Sequence, residues 1–165
     1  MGMDVFGNEP TSEAGEYFRN NVWWWRHLWG FCCTVAPDLT EGVSGQTNDG
    51  DGLDGAKAHE LAERLQEAVD SGVAADYEAE FKAGIDAMPH EKCEFCDATG
   101  IRQDMFADKE LTIEQAKELG RTQGWCNGCD GRGTRPPFAA SYRFSVENVV
   151  EFIGFLRACG GFKIC

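Results

Sequence analysis

The sequence predicts a mainly α-helical protein of the α+β class, in which a small helical core carries an inserted cysteine-rich subdomain and a short C-terminal β element. Two observations predict this. Apolar residues recur at helical spacing in several stretches, and two C-x-x-C pairs stand apart from those stretches at 93–96 and 126–129. We expect a helical, tryptophan-rich and acidic segment over 1–89, the cysteine-rich subdomain over 90–137, and a strand and helix over 138–165 that pack on the helical core.

The composition excludes several classes of protein. The chain has 165 residues, of which 42% are hydrophobic and 12% aromatic, so a wholly disordered chain is excluded. Its formal net charge of −13 makes it a poor non-specific ligand for nucleic acid or for an anionic membrane surface. No apolar run reaches the roughly 18 residues of a membrane span, and residues 1–10 show neither region of a secretory signal. We therefore expect a cytoplasmic protein.

The first predicted helix covers residues 15–33 and holds four of the five tryptophans. Its apolar stripe advances in steps of three and four residues and consists of Phe18, Val22, Trp25, Trp29 and Cys32. Trp23 and Trp24 lie off this stripe. They indicate either a helix that is buried on two sides or an aromatic surface for a protein partner.

A loop and two acidic helices are predicted next. Residues 40–55 are rich in Gly, Asp and Asn and are interpreted as the loop, and the helices follow over 54–70 and 73–88. Residues 49–91 contain twelve Asp and Glu but three Lys and Arg, a net charge of −9. Such a concentration is either the solvated face of amphipathic helices or a recognition surface. The candidate partner-binding residues are Glu60, Glu63, Glu67 and Asp70, together with Trp23 and Trp24.

The remaining elements are short. A capping box at residues 112–115 predicts a helix that ends at Leu119. Ser145 is predicted to cap a last helix over 145–158. Residues 162–165 are predicted to form a terminal strand beside residues 141–144.

Four of the eight cysteines form the knuckles Cys93-x-x-Cys96 and Cys126-x-x-Cys129. In a cytoplasmic protein, paired cysteines at this spacing hold metal more often than they form disulfides. Two intervening residues allow both thiolates of a knuckle to bind one ion in tetrahedral geometry. The prediction is one structural Zn²⁺ bound by all four thiolates, with two redox pairs or iron as alternatives. His90 is an alternative ligand.

The second knuckle continues as Cys126-Asn127-Gly128-Cys129-Asp130-Gly131-Arg132-Gly133 and resembles one C-x-x-C-x-G-x-G repeat of the cysteine-rich domain of DnaJ-type chaperones. The first knuckle has Ala98 where that family has glycine. The resemblance covers about 40 residues and implies zinc binding. Because the chain has no His-Pro-Asp tripeptide, the function of the J domain does not follow from it. Residues 17–25 and 147–152, near the two ends of the chain, resemble uncharacterised bacterial and phage proteins. If the chain is encoded by a phage, its expected location is the cytoplasm of the host cell.

The other cysteines and the arginines near the second knuckle have simpler interpretations. Cys32, Cys33, Cys159 and Cys165 are interpreted as buried free thiols, because adjacent cysteines chelate one ion awkwardly. Residues 121–143 carry four arginines against one aspartate. Trp125, Arg132 and Arg135 are therefore candidates for contact with nucleic acid, unless this basic segment pairs with the acidic helices of its own chain.

The sequence contains no dinucleotide fingerprint, Walker loop, zinc-protease motif, nucleophile elbow or deaminase motif, so no catalytic residue is assigned. The leading hypothesis is a non-enzymatic, zinc-stabilised protein-interaction protein. In its concrete form it is an acidic inhibitor that presents carboxylates to a nucleic-acid-binding groove, as phage counter-defence proteins of the anti-CRISPR type do. The alternatives are a nucleic-acid-binding zinc module and a chaperone-like binder of unfolded polypeptide.

Overall fold

The computed structural model describes residues 2–101, 113–118 and 126–165, and it confirms the α+β class. The helices are α1 (Val22–Val35), α2 (Pro37–Thr40), α3 (Gly55–Asp70), α4 (Val73–Asp86), α5 (Ile113–Glu118) and α6 (Val146–Ala158). The strands are β1 (Gly2–Gly7), β2 (Tyr17–Asn21), β3 (Gly52–Asp54), β4 (Glu91–Lys92), β5 (Thr134–Arg135) and β6 (Gly161–Ile164). The chain divides into two compact units, the first formed by Met1–Gly84 with Ser141–Cys165 and the second by Ile85–Ala140.

The first unit contains an antiparallel sheet with the strand order β2-β1-β6-β3. Val5 of β1 lies opposite Phe18 of β2 and Ile164 of β6, and Leu53 of β3 lies opposite Phe162 of β6. All five side chains are buried on the same face, because residues directly opposite each other, and residues two apart in one strand, share a face. Strands from both ends of the chain therefore pair at the centre of the sheet.

The predictions for these strands are largely wrong. The predicted helix over 15–33 begins with β2, the predicted loop over 40–55 contains β3, and no element is predicted where the structure has β1. A terminal strand is present, but it pairs with β1 and β3 rather than with residues 141–144. The physical reason is that partner strands come from distant parts of the chain, so their pairing leaves little trace in the local pattern.

Helix α1 begins at Val22 because Asn21 caps it. The side-chain oxygen of Asn21 accepts hydrogen bonds from the backbone N–H groups of Trp23, at 3.0 Å, and Trp24, at 3.3 Å. The later part of the predicted stripe is confirmed, since Trp25, Trp29 and Cys32 are buried. The first two rings stack with their centroids 5.8 Å apart. The indole nitrogen of Trp25 donates to the Gly45 carbonyl at 2.6 Å, which holds the following loop against α1.

The other long helices agree with their predictions. Asp54 caps α3 by accepting a hydrogen bond from the N–H of Lys57, and Ser145 caps α6 by accepting one from the N–H of Asn148. Helix α4 ends at Asp86, two residues before the predicted end. Helix α5 is present over Ile113–Glu118, while Thr112 and Leu119, its predicted boundary residues, lie outside the described residues.

The contact between Gly45 and Trp29 makes the first testable prediction. A Cβ atom at Gly45 would lie 1.9 Å from Cε2 of the buried Trp29 ring, so Gly45→Ala is expected to lower the free energy of unfolding by about 1–3 kcal/mol. Gly154→Ala is the control, because a Cβ there meets no atom within 4 Å inside α6, and it is expected to raise stability by about 0.5–1 kcal/mol. Urea unfolding followed by tryptophan fluorescence measures both. Equal midpoints for Gly45→Ala and the wild type would contradict the packing.

Candidate metal centre

Each cysteine knuckle is closed by its own turn. In the first, the N–H groups of Ala98 and Thr99 donate to the carbonyls of Cys93 and Cys96, at 3.3 and 2.9 Å. In the second, the N–H groups of Gly131 and Arg132 donate to the carbonyls of Cys126 and Cys129, at 3.0 and 3.1 Å. The two knuckles therefore have matching hydrogen-bond patterns.

The turns require left-handed backbone at equivalent positions. Asp97 and Asp130, each directly after a second cysteine, have φ of 51° and 55°. The next residues are Ala98, with φ of 66°, and Gly131, with φ of 71°. Only glycine adopts this conformation without steric cost, so the first knuckle carries strain that the second avoids.

Reciprocal hydrogen bonds join the two knuckles. The N–H of Cys93 donates to the carbonyl of Gly133 at 2.9 Å, and the N–H of Cys126 donates to the carbonyl of Gly100 at 2.8 Å. Strands β4 and β5 continue this pairing in register, with Glu91 opposite Arg135. Each knuckle is thus attached to the glycine that follows the other one.

This arrangement brings four sulfur atoms together. The Sγ atoms of Cys93 and Cys126 lie 3.7 Å apart, as do those of Cys96 and Cys129, and all four lie within 4.8 Å of one another. A disulfide has its sulfurs about 2.05 Å apart, so these pairs are not bonded. Four sulfurs placed about 2.3 Å from a tetrahedral ion would be separated by about 3.8 Å. The four cysteines therefore form a cluster that is compatible with a metal site.

The environment of the sulfurs is also suited to a cation. Burial raises the pKa of Cys126 to about 12, and the nearby Cys129 and Cys93 thiols act in the same direction. The N–H of Gly133 donates a hydrogen bond to the sulfur of Cys129 at 3.2 Å. A bound cation compensates the negative charge of several adjacent thiolates, which burial alone disfavours.

In the described part of the second unit, the one buried hydrophobic cluster consists of these four cysteines. Phe95, inside the first knuckle, and Phe138, after the second, are exposed, with relative accessibilities of 53% and 68%. The described residues of this unit therefore gain little stability from the hydrophobic effect. Metal binding is therefore expected to supply much of its folding free energy.

The other predicted ligands and thiols lie elsewhere. His90 is exposed and does not belong to the sulfur cluster. Cys32 and Cys159 are buried as predicted and Cys33 is half-buried, whereas the prediction is wrong for Cys165, which is exposed. Lys163 and Ile164 of β6 are exposed and buried in turn, and Cys165 continues this alternation on the exposed face.

The arginines proposed for nucleic acid have partners in their own unit. Arg135 donates to the Glu94 carboxylate at 3.2 Å and lies 5.4 Å from the centre of the Phe95 ring. The guanidinium of Arg132 donates to the carbonyl of Cys129 at 3.0 Å. Trp125 lies outside the described residues.

Most of the candidate partner-binding residues also have internal partners. Glu60 pairs with Arg64 at 2.5 Å, Glu63 pairs with Arg157 at 3.0 Å, and Asp70 accepts from Gln66 at 2.9 Å. The Trp23 ring packs against that of Tyr142, 5.1 Å away. Among the described residues, the side chains of Glu67 and Trp24 have no such partner.

Sequence reasoning missed a group of polar residues around Trp24. Asn20, Asn148, Glu147 and Glu151 line a cavity beside this indole. Their signal in the sequence was weak, because Asn20 falls in a stretch predicted as helix and the other three occupy the polar face of α6. Their proximity depends on the packing of β2 and α6, which no local pattern encodes.

Comparisons with protein-family models, with curated proteins and with solved structures found no significant match. Within the described ranges, none of the helices is long and apolar enough to cross a bilayer.

Removal of the metal is the second test. Purified protein is expected to carry one metal ion per chain, and a strong chelator is expected to unfold the second unit, since the sulfurs form the buried cluster of its described residues. Native mass spectrometry measures the ion and limited proteolysis measures the unfolding. Cys126→Ser is expected to abolish binding, while Cys165→Ser, outside the cluster, is the control and is expected to keep it. A chelator-treated chain with unchanged protease resistance would contradict this.

The positive φ of Ala98 makes a third prediction. Ala98→Gly is expected to relieve strain and to tighten metal binding by roughly two- to fivefold, corresponding to about 0.5–1 kcal/mol. Gly131→Ala, at the equivalent position, is expected to weaken binding to a similar extent. Competition with a chromophoric chelator measures both affinities. If both variants bind the metal more tightly, or if neither does, backbone strain at Ala98 does not control the affinity.

Proposed function

We propose that this is a non-enzymatic protein-interaction protein whose second unit is held together by one structural Zn²⁺. The observation that carries this proposal is the closed sulfur cluster. Four cysteine ligands complete a tetrahedron, which leaves no position for a catalytic water or a substrate. Zinc is the ion we favour, because soft thiolates in tetrahedral geometry suit it and need no redox chemistry.

The charge of the protein supports a basic partner. The chain has a net charge of −13, and residues 49–91 contribute −9 of it. Several carboxylates of α3 and α4 are exposed and have no ion pair or side-chain hydrogen bond with described residues; they are Glu67, Asp76 and Glu80. Exposed like charges of this kind accelerate association with a surface of opposite charge.

A nucleic-acid-binding groove on another protein is the partner surface that fits this charge. Such grooves are lined with Lys and Arg that contact phosphates. Carboxylates on helices α3 and α4 can bind the same Lys and Arg side chains in place of phosphates. A protein that does so acts as an inhibitor of nucleic-acid binding. The alternative in which this chain itself binds nucleic acid is less well supported, because Arg132 and Arg135 already have partners.

The test of this function is capture of a partner from a nuclease-treated host lysate by the tagged, zinc-loaded protein. A single stoichiometric protein that dissociates at high salt is the expected result. Binding of the purified partner is then measured for a variant that combines Glu67→Gln, Asp76→Asn and Glu80→Gln. We expect at least about fivefold weaker binding, because three exposed charge pairs are lost.

The control variant combines Glu9→Gln, Glu13→Gln and Glu41→Gln. These carboxylates are also exposed, but they lie outside α3 and α4, so both variants change the net charge equally. Equal affinities for the two variants would contradict a role of the acidic helices. Capture that requires intact nucleic acid would instead support the nucleic-acid-binding alternative.

A further inference from the structure

The strongest feature outside the sulfur cluster is a cavity of about 310 Å³ in the first unit. It is lined by the residues around the starts of helices α1 and α6: Arg19, Asn20, Asn21, Trp24, Ser145, Glu147, Asn148 and Glu151. This volume lies at the lower end of the range for small-molecule sites. It suits a single side chain better than a large cofactor.

A pair of buried amides forms one wall of the cavity. Asn20 is 7% exposed, and its amide nitrogen donates to the side-chain oxygen of Asn148 at 2.7 Å. The Nδ2 atom of Asn148 is closed to solvent and has no hydrogen-bond partner among the described residues. The two amides therefore form a fixed polar wall, and an entering ligand contacts the other lining residues.

Two carboxylates of the lining favour a positively charged ligand. Glu147 and Glu151 are one helical turn apart on α6, which places them on the same face. Both are exposed, and neither has an ion pair or side-chain hydrogen bond with any described residue. Arg19 also lines the cavity and lies 3.9 Å from Asp4, so the lining carries one positive and two negative side chains. The lining therefore favours a cation.

Trp24 supplies an aromatic surface to the same cavity. Its indole is half-buried and has no ring contact or hydrogen bond with a described residue, in contrast to Trp23, which packs on Tyr142. The face of a tryptophan ring attracts cations, and a planar guanidinium both stacks on it and presents several N–H donors. Nearby carboxylates can accept those donors.

We propose that this cavity binds the side chain of an arginine from a basic protein partner. The guanidinium contacts the Trp24 indole and the carboxylates of Glu147 and Glu151, which line the cavity together. Phosphate-bearing ligands are disfavoured by the two carboxylates and by the net charge of −13. This inference rests on the proposed function, because the arginine belongs to the proposed protein partner. It goes further by naming the type of residue that the cavity recognises.

The test is a titration of the zinc-loaded full chain with Nα-acetyl-L-arginine N-methylamide, followed by ¹H–¹⁵N NMR. Saturable shifts are expected at the indole N–H of Trp24 and the side-chain amide of Asn148. The citrulline analogue has nearly the same shape without the charge, and it is expected to bind at least tenfold more weakly. Equal binding of the two compounds, or saturable shifts at these groups with adenosine monophosphate instead of the arginine compound, would overturn the proposal.

Two variants locate the binding. Glu147→Gln combined with Glu151→Gln is expected to weaken binding of the arginine compound at least tenfold, and Trp24→Phe, which retains an aromatic face, is expected to weaken it less than Trp24→Ala. Glu9→Gln combined with Glu13→Gln is the control with the same charge change away from the cavity, and it is expected to bind as the wild type does. Unchanged binding in the Glu147 and Glu151 double variant contradicts the site.

The two proposals fail separately. If the arginine compound binds at Trp24 but no partner protein is captured, the cavity stands and the proposed function fails. If a captured partner binds equally well to the Glu147 and Glu151 double variant and the arginine compound does not bind, the proposed function stands and the cavity proposal fails.

Discussion

The second unit depends on one constraint, the meeting of four sulfur atoms within 4.8 Å of one another. The turns and hydrogen bonds of this unit position the four cysteines. The turns after each knuckle bring the backbone back on itself, and the reciprocal bonds from Cys93 to Gly133 and from Cys126 to Gly100 join the knuckles. Because the cysteines form the buried cluster of its described residues, folding and metal binding are expected to be one equilibrium.

The first unit has a conventional core of helices packed on an antiparallel sheet, and its polar surface differs in character from one region to another. On α3, Glu60 and Glu63 are engaged by Arg64 and Arg157, which reduces their value for a partner. Beside Trp24, Glu147 and Glu151 have no ion pair or side-chain hydrogen bond with the part of the chain that the structure describes. The availability of a carboxylate for recognition therefore depends on its neighbours rather than on the acidity of the segment.

The tryptophan-rich segment shows how a correct local pattern can be extended too far. The spacing of Trp25, Trp29 and Cys32 describes one buried face of α1 correctly. Phe18 fits the same spacing by coincidence, because it is a buried strand residue opposite Val5. Helical and strand periodicities overlap over short distances. Residues 17–21 form a strand rather than a helix because β1 pairs with them and supplies hydrogen-bond partners for their backbone.

The sequence by itself determined the features that rest on short-range chemistry: the ligand spacing of the two knuckles, the cap at Ser145, and the helices α3 and α6. Only the tertiary structure decided the sheet order and the placement of Asn20 and Asn148 beside Trp24. The physical reason is the distance along the chain. A cap or a C-x-x-C knuckle involves residues within one turn, whereas Asn20 and Asn148 meet across 128 residues through packing that no local pattern encodes.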